Sequence, residues 1–167
     1  MPKSNICVIG LSNGFTDQVS KQLSIRLDMF YANVQQILEY ELIDLMRIEE
    51  ICGKEYLLKE EISIIRRICS YENTIINIEY ANLNNETILN FVRENCLIIY
   101  LKLSDERFLE EQDKEELSAN TKGLNLELLH ERDAICTKIS DIVLDCKEND
   151  IDDIIEDFIE KIVHYYP

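Results

Sequence analysis

Short apolar runs alternate along the chain with longer segments in which apolar residues recur every three or four positions. The short runs are typical of buried strands and the longer segments of amphipathic helices. The predicted strands are Asn5–Ile9, Met29–Tyr31, Thr74–Ile78, Cys96–Leu103 and Asp141–Cys146. The predicted helices are Thr16–Leu27, Val34–Glu50, Glu55–Ser70, Asn85–Glu94, Ser104–Glu116, Leu124–Lys138 and Asp150–Tyr165. Strands that alternate with helices in this way predict βαβ units, a parallel sheet and an α/β fold.

Three segments add detail to this pattern. Cys96–Leu103 is almost continuously apolar, as a central strand covered on both faces should be. Asp150–Tyr165 has the clearest apolar helix face of the chain. Glu115–Gly123 is polar and lacks periodicity, so it is predicted to be a mobile loop. With no linker or internal repeat, residues 1–167 are predicted to form a single domain.

The charge of the chain narrows the choice of partners. Its 33 acidic and 17 basic residues give a net charge of −16 at pH 7. Such a field repels nucleic acid, anionic membranes and free nucleotides, so neither nucleic acid nor membrane is an expected partner. No apolar run approaches the roughly 20 residues that span a bilayer. The first ten residues do not resemble a signal peptide, and a cytoplasmic location is expected.

The cysteines and histidines do not form a metal-binding pattern. The chain has six cysteines without a Cys-x-x-Cys pair, and neither histidine lies at zinc-ligand spacing from a cysteine pair. Cys7 and Cys96 lie within apolar runs, where cysteine behaves as a small buried hydrophobe. The cysteines are therefore predicted to be structural free thiols, and no metal ligand is assigned.

The start of the chain has the strand–loop–helix pattern in which Gly-x-x-x-x-Gly-Lys-[Ser/Thr] binds nucleotide phosphates. Gly10 is the first glycine of this frame, and Asn13 and Gly14 lie within the loop. The last glycine, the lysine and the magnesium-binding hydroxyl are replaced in turn by Phe15, Thr16 and Asp17. The Phe15 ring is expected to obstruct the phosphates, and the Asp17 carboxylate to satisfy amides in the first turn of the helix. Lys21 is the nearest basic residue; a solvent-exposed side chain is expected there.

Segments spread over most of the length resemble the shikimate kinase family. The first is the opening strand, loop and helix, including Lys21–Leu23. The others are Met29–Leu38, Gly53–Ile65, Thr74–Leu83, Cys96–Ser104 and Leu128–Cys146. The last is the most specific, because Glu131, Arg132 and Asp141 hold the spacing of the family's Leu-x-x-Glu-Arg-x-x-x-Tyr-x-x-x-Ala-Asp motif. The resemblance implies a three-layer α/β/α fold with a five-stranded parallel sheet in the order 2-3-1-4-5.

The same resemblance implies that most of the family's polar site residues are replaced. The aspartates after the second strand correspond to Ala32 and Val34, and the arginine of Phe-Arg-x-x-Glu corresponds to Leu57. The three glycines correspond to Glu79–Ala81, and the adenine-stacking arginine is replaced at Glu110–Gln112. The family's lid arginine has no counterpart in Glu115–Leu128, where Lys122 is the only basic residue. Arg132 alone is retained; it either binds a substrate carboxylate, as the family implies, or pairs with Glu131 or Glu127 on a helix surface.

These replacements predict a catalytically inactive shikimate kinase-like protein that acts as a binding or regulatory module. No catalytic residue and no cofactor is assigned, and the partner is an unidentified protein or small molecule. A homodimer is a further possibility, compatible with the aromatic tail His164–Tyr166 and the acidic faces. The alternative is a divergent kinase that transfers the γ-phosphate of ATP, with magnesium, to shikimate or another hydroxylated acid.

Overall fold

The computed structural model describes residues 3–119, 126–147 and 149–166. Its five strands are β1 (Asn5–Gly10), β2 (Phe30–Asn33), β3 (Thr74–Asn77), β4 (Cys96–Lys102) and β5 (Ile142–Asp145). They form one parallel sheet in the order β2-β3-β1-β4-β5, with β2 and β5 at its edges. The predicted α/β fold and strand order are thus confirmed, although the strand ends differ by one or two residues.

Nine helices are found within the described ranges. They are α1 (Asn13–Leu27), α2 (Val34–Leu42), α3 (Leu45–Cys52), α4 (Lys54–Cys69), α5 (Tyr80–Leu83), α6 (Glu86–Asn95), α7 (Asp105–Ala119), α8 (Leu126–Ile139) and α9 (Ile151–Tyr165). No helix among these residues is long and apolar enough to cross a bilayer.

The structure differs from the sequence-based prediction at one predicted helix, Val34–Glu50, and at one predicted loop, Glu115–Gly123. The predicted helix Val34–Glu50 is split, because Ile43 adopts a positive φ of 60° and the Asp44 carboxylate accepts a hydrogen bond from the Arg47 amide, which starts α3. α7 continues to Ala119, so the first part of the predicted loop Glu115–Gly123 is helical, and residues 120–123 lie outside the described ranges.

The core consists of two apolar clusters, one on each face of the sheet. Alternate residues of β1 face opposite sides, so Ile6 and Val8 join one cluster while Cys7 and Ile9 join the other. Helices α1 and α9 supply much of the first cluster, and α2, α4 and α6 supply much of the second. The predicted burial of Cys7 and Cys96 is confirmed, and all six cysteines are free thiols. The central strands are therefore covered on both faces, and polar chemistry is left to the strand ends.

Candidate functional site

The candidate site lies where β1 ends and α1 begins. α1 starts at Asn13, with only two residues between it and Gly10, rather than at the predicted Thr16. The buried Thr16 side chain donates a hydrogen bond to the Ser12 carbonyl oxygen at 2.7 Å. A Cβ on Gly10 would stand 2.1 Å from the Thr16 hydroxyl oxygen, so only glycine permits this close approach. The space between the strand end and the helix is thus filled by the chain's own side chain.

Phe15 lies in the core rather than in an open loop. It is 2% exposed and packs in the same cluster as Val19 and Leu23 of α1. The Arg107 guanidinium lies over the ring, 4.7 Å from its centroid. The ring was expected to obstruct the phosphates, but it lies in the core, because the early helix start turns Phe15 toward the sheet.

Arg107, which the sequence analysis did not single out, ties three elements together. Besides stacking on Phe15, its guanidinium donates a hydrogen bond to the Lys147 carbonyl oxygen at 3.2 Å and another to that of Asn149. It therefore joins α7 to α1 and to the segment between β5 and α9. An arginine in the first turn of a helix that follows a strand was the available sequence signal, but the pattern could not show what it contacts.

Asp17 does not cap the first turn of α1, which is a second correction. Because the helix starts at Asn13, Asp17 lies beyond the first turn, and the structure has no acidic residue in that turn. One carboxylate oxygen accepts hydrogen bonds from the Tyr31 hydroxyl and, at 2.9 Å, from the Asn33 amide. The other lies 2.6 Å from the Lys21 ammonium nitrogen.

Lys21 is exposed, as expected, with about half of its side chain accessible, and its ammonium group reaches back one turn to Asp17 and lies 5.7 Å from the centroid of the Tyr31 ring. Partial burial alone would raise the pKa of Asp17, but the hydrogen bonds from Lys21, Tyr31 and Asn33, with the charge of Lys21, lower it overall. Burial, reinforced by Asp17, raises the pKa of Tyr31. The carboxylate is thus ionised and neutralised within the chain.

The end of β2 presents a polar residue that the sequence analysis missed. Ala32 and Val34 both pack against the core, and Val34 is 1% exposed. Asn33, between them, donates to Asp17 and accepts a hydrogen bond from the Gln36 amide as the cap of α2. Alternation along the strand, together with the preference for asparagine at helix starts, was the signal that could have identified it.

Arg132 does not form the ion pair with Glu131 or Glu127 that was one of its two predicted roles, and its role toward a substrate carboxylate stays a prediction. Its guanidinium lies 4.9 Å from the centroid of the Tyr80 ring, and the ion pairs of the described residues do not include it. Tyr80 begins α5, a short helix that follows β3. The retained arginine is thus covered by a side chain in the segment where the family's glycines were expected.

Four cationic side chains at this end of the sheet have partners within the chain. Lys21 is held by Asp17, Arg107 by Phe15 and two carbonyl oxygens, and Arg132 by Tyr80. Lys102, the last residue of β4, lies 3.2 Å from the Asp133 carboxylate. The described residues do not contain a group of three side chains suited to hold a metal ion.

Comparison with known proteins identifies the family. The model of the shikimate kinase family matches residues 17–163, beginning just after Thr16. A curated shikimate kinase of Dehalococcoides mccartyi is 23% identical over 98% of this chain and 96% of its own length. The solved shikimate kinase of Acinetobacter baumannii in complex with shikimate has a TM-score of 0.82 at 14% identity, over 99% of this chain and 96% of that one. The shikimate kinase of Aquifex aeolicus has a TM-score of 0.75 at 21% identity, over 95% and 96%. This chain belongs to the shikimate kinase family.

Proposed function

We propose that this member of the shikimate kinase family does not transfer phosphate and instead acts as a binding or regulatory module for a protein or a small molecule. The observation that carries the proposal is the closed contact between Lys21 and Asp17, braced by Tyr31 and Asn33. Phosphoryl transfer depends on positioned cations that neutralise the triphosphate and its transition state. Here the nearest lysine is already neutralised.

The residues of the loop do not fit magnesium-ATP. Thr16 is neutral and buried where the motif has its lysine, so it cannot neutralise a phosphate. Asp17 places a carboxylate where the motif has a hydroxyl, and because this carboxylate is paired with Lys21, the lysine has no uncompensated charge to offer a phosphate. The Asp17 carboxylate could attract a magnesium ion only after releasing donors that already occupy both of its oxygens.

Support on the substrate side comes from Arg132 and Tyr80. An arginine binds a carboxylate through the N–H groups at the edge of its guanidinium, and the guanidinium of Arg132 already lies 4.9 Å from the centroid of the Tyr80 ring. The guanidinium of Arg107, in the first turn of α7, lies in the same way over the ring of Phe15. Both arginines are therefore engaged within the chain.

The competing proposal is a divergent kinase, and the names of the curated relatives favour it. The two proposals are separated by incubating the chain with ATP, magnesium and shikimate and measuring ADP release in a coupled assay. The Acinetobacter baumannii shikimate kinase serves as the positive control. We expect no ADP above the blank without protein. Turnover of about 1 s⁻¹ or faster, typical of kinases, would overturn the proposal.

A mock preparation without the chain controls for contaminating kinase. The variant Lys21→Met, which removes the ammonium group beside Asp17, shows whether any activity depends on this lysine. Activity above that of the mock preparation that is the same in the wild type and in Lys21→Met would still overturn the proposal. Activity that falls in the variant points to divergent chemistry that uses Lys21.

A further inference from the structure

A second concave surface lies along β2, the edge strand of the sheet, and shares Tyr31 with the candidate site. It is formed by the start of β2, the middle of α2, the end of α4 and the start of β3, with a volume of about 870 Å³. That volume lies within the range of small-molecule sites in proteins. We call this surface the β2 groove; the side chains discussed below are Phe30, Tyr40, Glu41, Arg67, Tyr71 and Glu72.

Three aromatic side chains of the β2 groove are unusually exposed. Phe30 is 73% exposed, Tyr40 86% and Tyr71 53%. Large aromatic surface gathered around one concavity is uncommon on a soluble domain and marks a binding site. β2 is an edge strand, so no further strand of the described chain extends over it. The groove thus offers aromatic faces to a ligand.

The charged side chains of the groove indicate which charge its ligand carries. Arg67 forms an ion pair with Glu41, so the charges of these two side chains compensate each other. The Glu72 carboxylate has no ion pair or hydrogen-bond donor among the described residues and is exposed to solvent. One uncompensated carboxylate, within a chain of net charge −16, attracts cations and repels anions.

We propose that the β2 groove binds a small organic cation, an ammonium ion that carries an apolar body. The apolar body packs on the aromatic rings, and the ammonium group lies near Glu72, where aromatic faces and a carboxylate both favour positive charge. The β2 groove adjoins the candidate site at Tyr31, whose side chain lines it, but Asp17, Lys21 and the loop between β1 and α1 do not line it. It does not depend on whether the chain is a kinase.

A series of three probes of similar shape tests the charge requirement. The probes are 2-phenylethylammonium, neutral 2-phenylethanol and anionic 3-phenylpropanoate, each titrated at millimolar concentration. Binding is followed by the NMR signals of the tyrosine rings. We expect the cation to bind most tightly, the neutral probe more weakly and the anion not at all. Equal binding of the three probes, or no binding of the cation at millimolar concentration, would overturn the proposal.

Two pairs of surface variants locate the binding. Glu72→Gln is expected to weaken the cation about fivefold and leave the neutral probe unchanged, since a single exposed charge contact is removed. Asp152→Asn removes the same charge from the exposed face of α9 and should have no effect. Tyr40→Ala should weaken the cation about threefold, whereas Tyr56→Ala, at an exposed tyrosine outside the groove, should not. A Glu72→Gln effect no larger than that of Asp152→Asn would assign the binding to overall charge and contradict the proposed site.

Discussion

Substitution of Phe15 tests whether the early start of α1 buries this side chain in the core. Its side chain is 2% exposed within an apolar cluster, and Arg107 covers the ring at 4.7 Å. Replacing a buried phenylalanine by alanine costs about 3–5 kcal/mol. Loss of the cation–π contact adds about 0.5–1 kcal/mol. For a domain of this size, a total of about 4 kcal/mol lowers the melting temperature by about 8–16 °C.

The measurement is urea unfolding of Phe15→Ala beside two control variants. Phe15→Leu keeps most of the volume and should lose much less stability, because apolar exchanges of similar size usually cost below about 1.5 kcal/mol. Phe30→Ala removes the same ring from a site that is 73% exposed and should change stability by less than about 0.5 kcal/mol. A Phe15→Ala protein as stable as Phe30→Ala would mean that the ring lies in an open loop, and the reasoning about the early helix start would be refuted.

Three further predictions concern single contacts. Because the pKa of Asp17 is lowered in the folded state, its carboxylate contributes to stability above its ordinary pKa of 3.8. That contribution is lost as the pH falls through the lower pKa of the folded state. The difference in unfolding free energy between the wild type and Asp17→Asn should therefore shrink below pH 3.8, which urea unfolding at a series of acid pH values would measure. Tyr80→Leu and Arg132→Met should show a coupling free energy of about 0.5–1 kcal/mol in a double-mutant cycle, and additive effects would contradict the cation–π contact. Cys52 should react rapidly with a thiol reagent while the five buried cysteines react only on unfolding; two or more fast thiols in the native protein would contradict the burial pattern.

Much of the fold could be predicted from the sequence because the spacing of apolar residues shows which residues of a strand or helix are buried. The apolar run Cys96–Leu103 predicted a strand covered on both faces, and β4 is buried over nearly its whole length. The three- and four-residue spacing in α9 predicted the face on which Ile154, Ile155 and Phe158 are buried. The split after Leu42 was missed because Asp44 acts through a local cap, which leaves the apolar period unbroken.

The contacts of the candidate site were less predictable. The motif frame identified Thr16 and Asp17 as the residues that replace the lysine and the hydroxyl. However, α1 starts three residues earlier than predicted, so both side chains lie in surroundings other than those expected. Two of the three groups that bind the Asp17 carboxylate, the side chains of Tyr31 and Asn33, come from a separate strand, β2. Contacts between elements of this kind leave no periodic signal in the sequence.

The central claim, that the cations of this end of the sheet are engaged within the chain and do not receive a nucleotide, is tested most directly by a thermal titration with magnesium-ATP. A nucleotide at a hundred times its dissociation constant would stabilise the fold by about 2.7 kcal/mol, which corresponds to a rise of about 5–11 °C in melting temperature for a domain of this size. We predict no change in melting temperature at millimolar nucleotide, with or without magnesium. A saturable, magnesium-dependent rise would contradict the claim, and its loss in Lys21→Met would place the nucleotide beside Lys21.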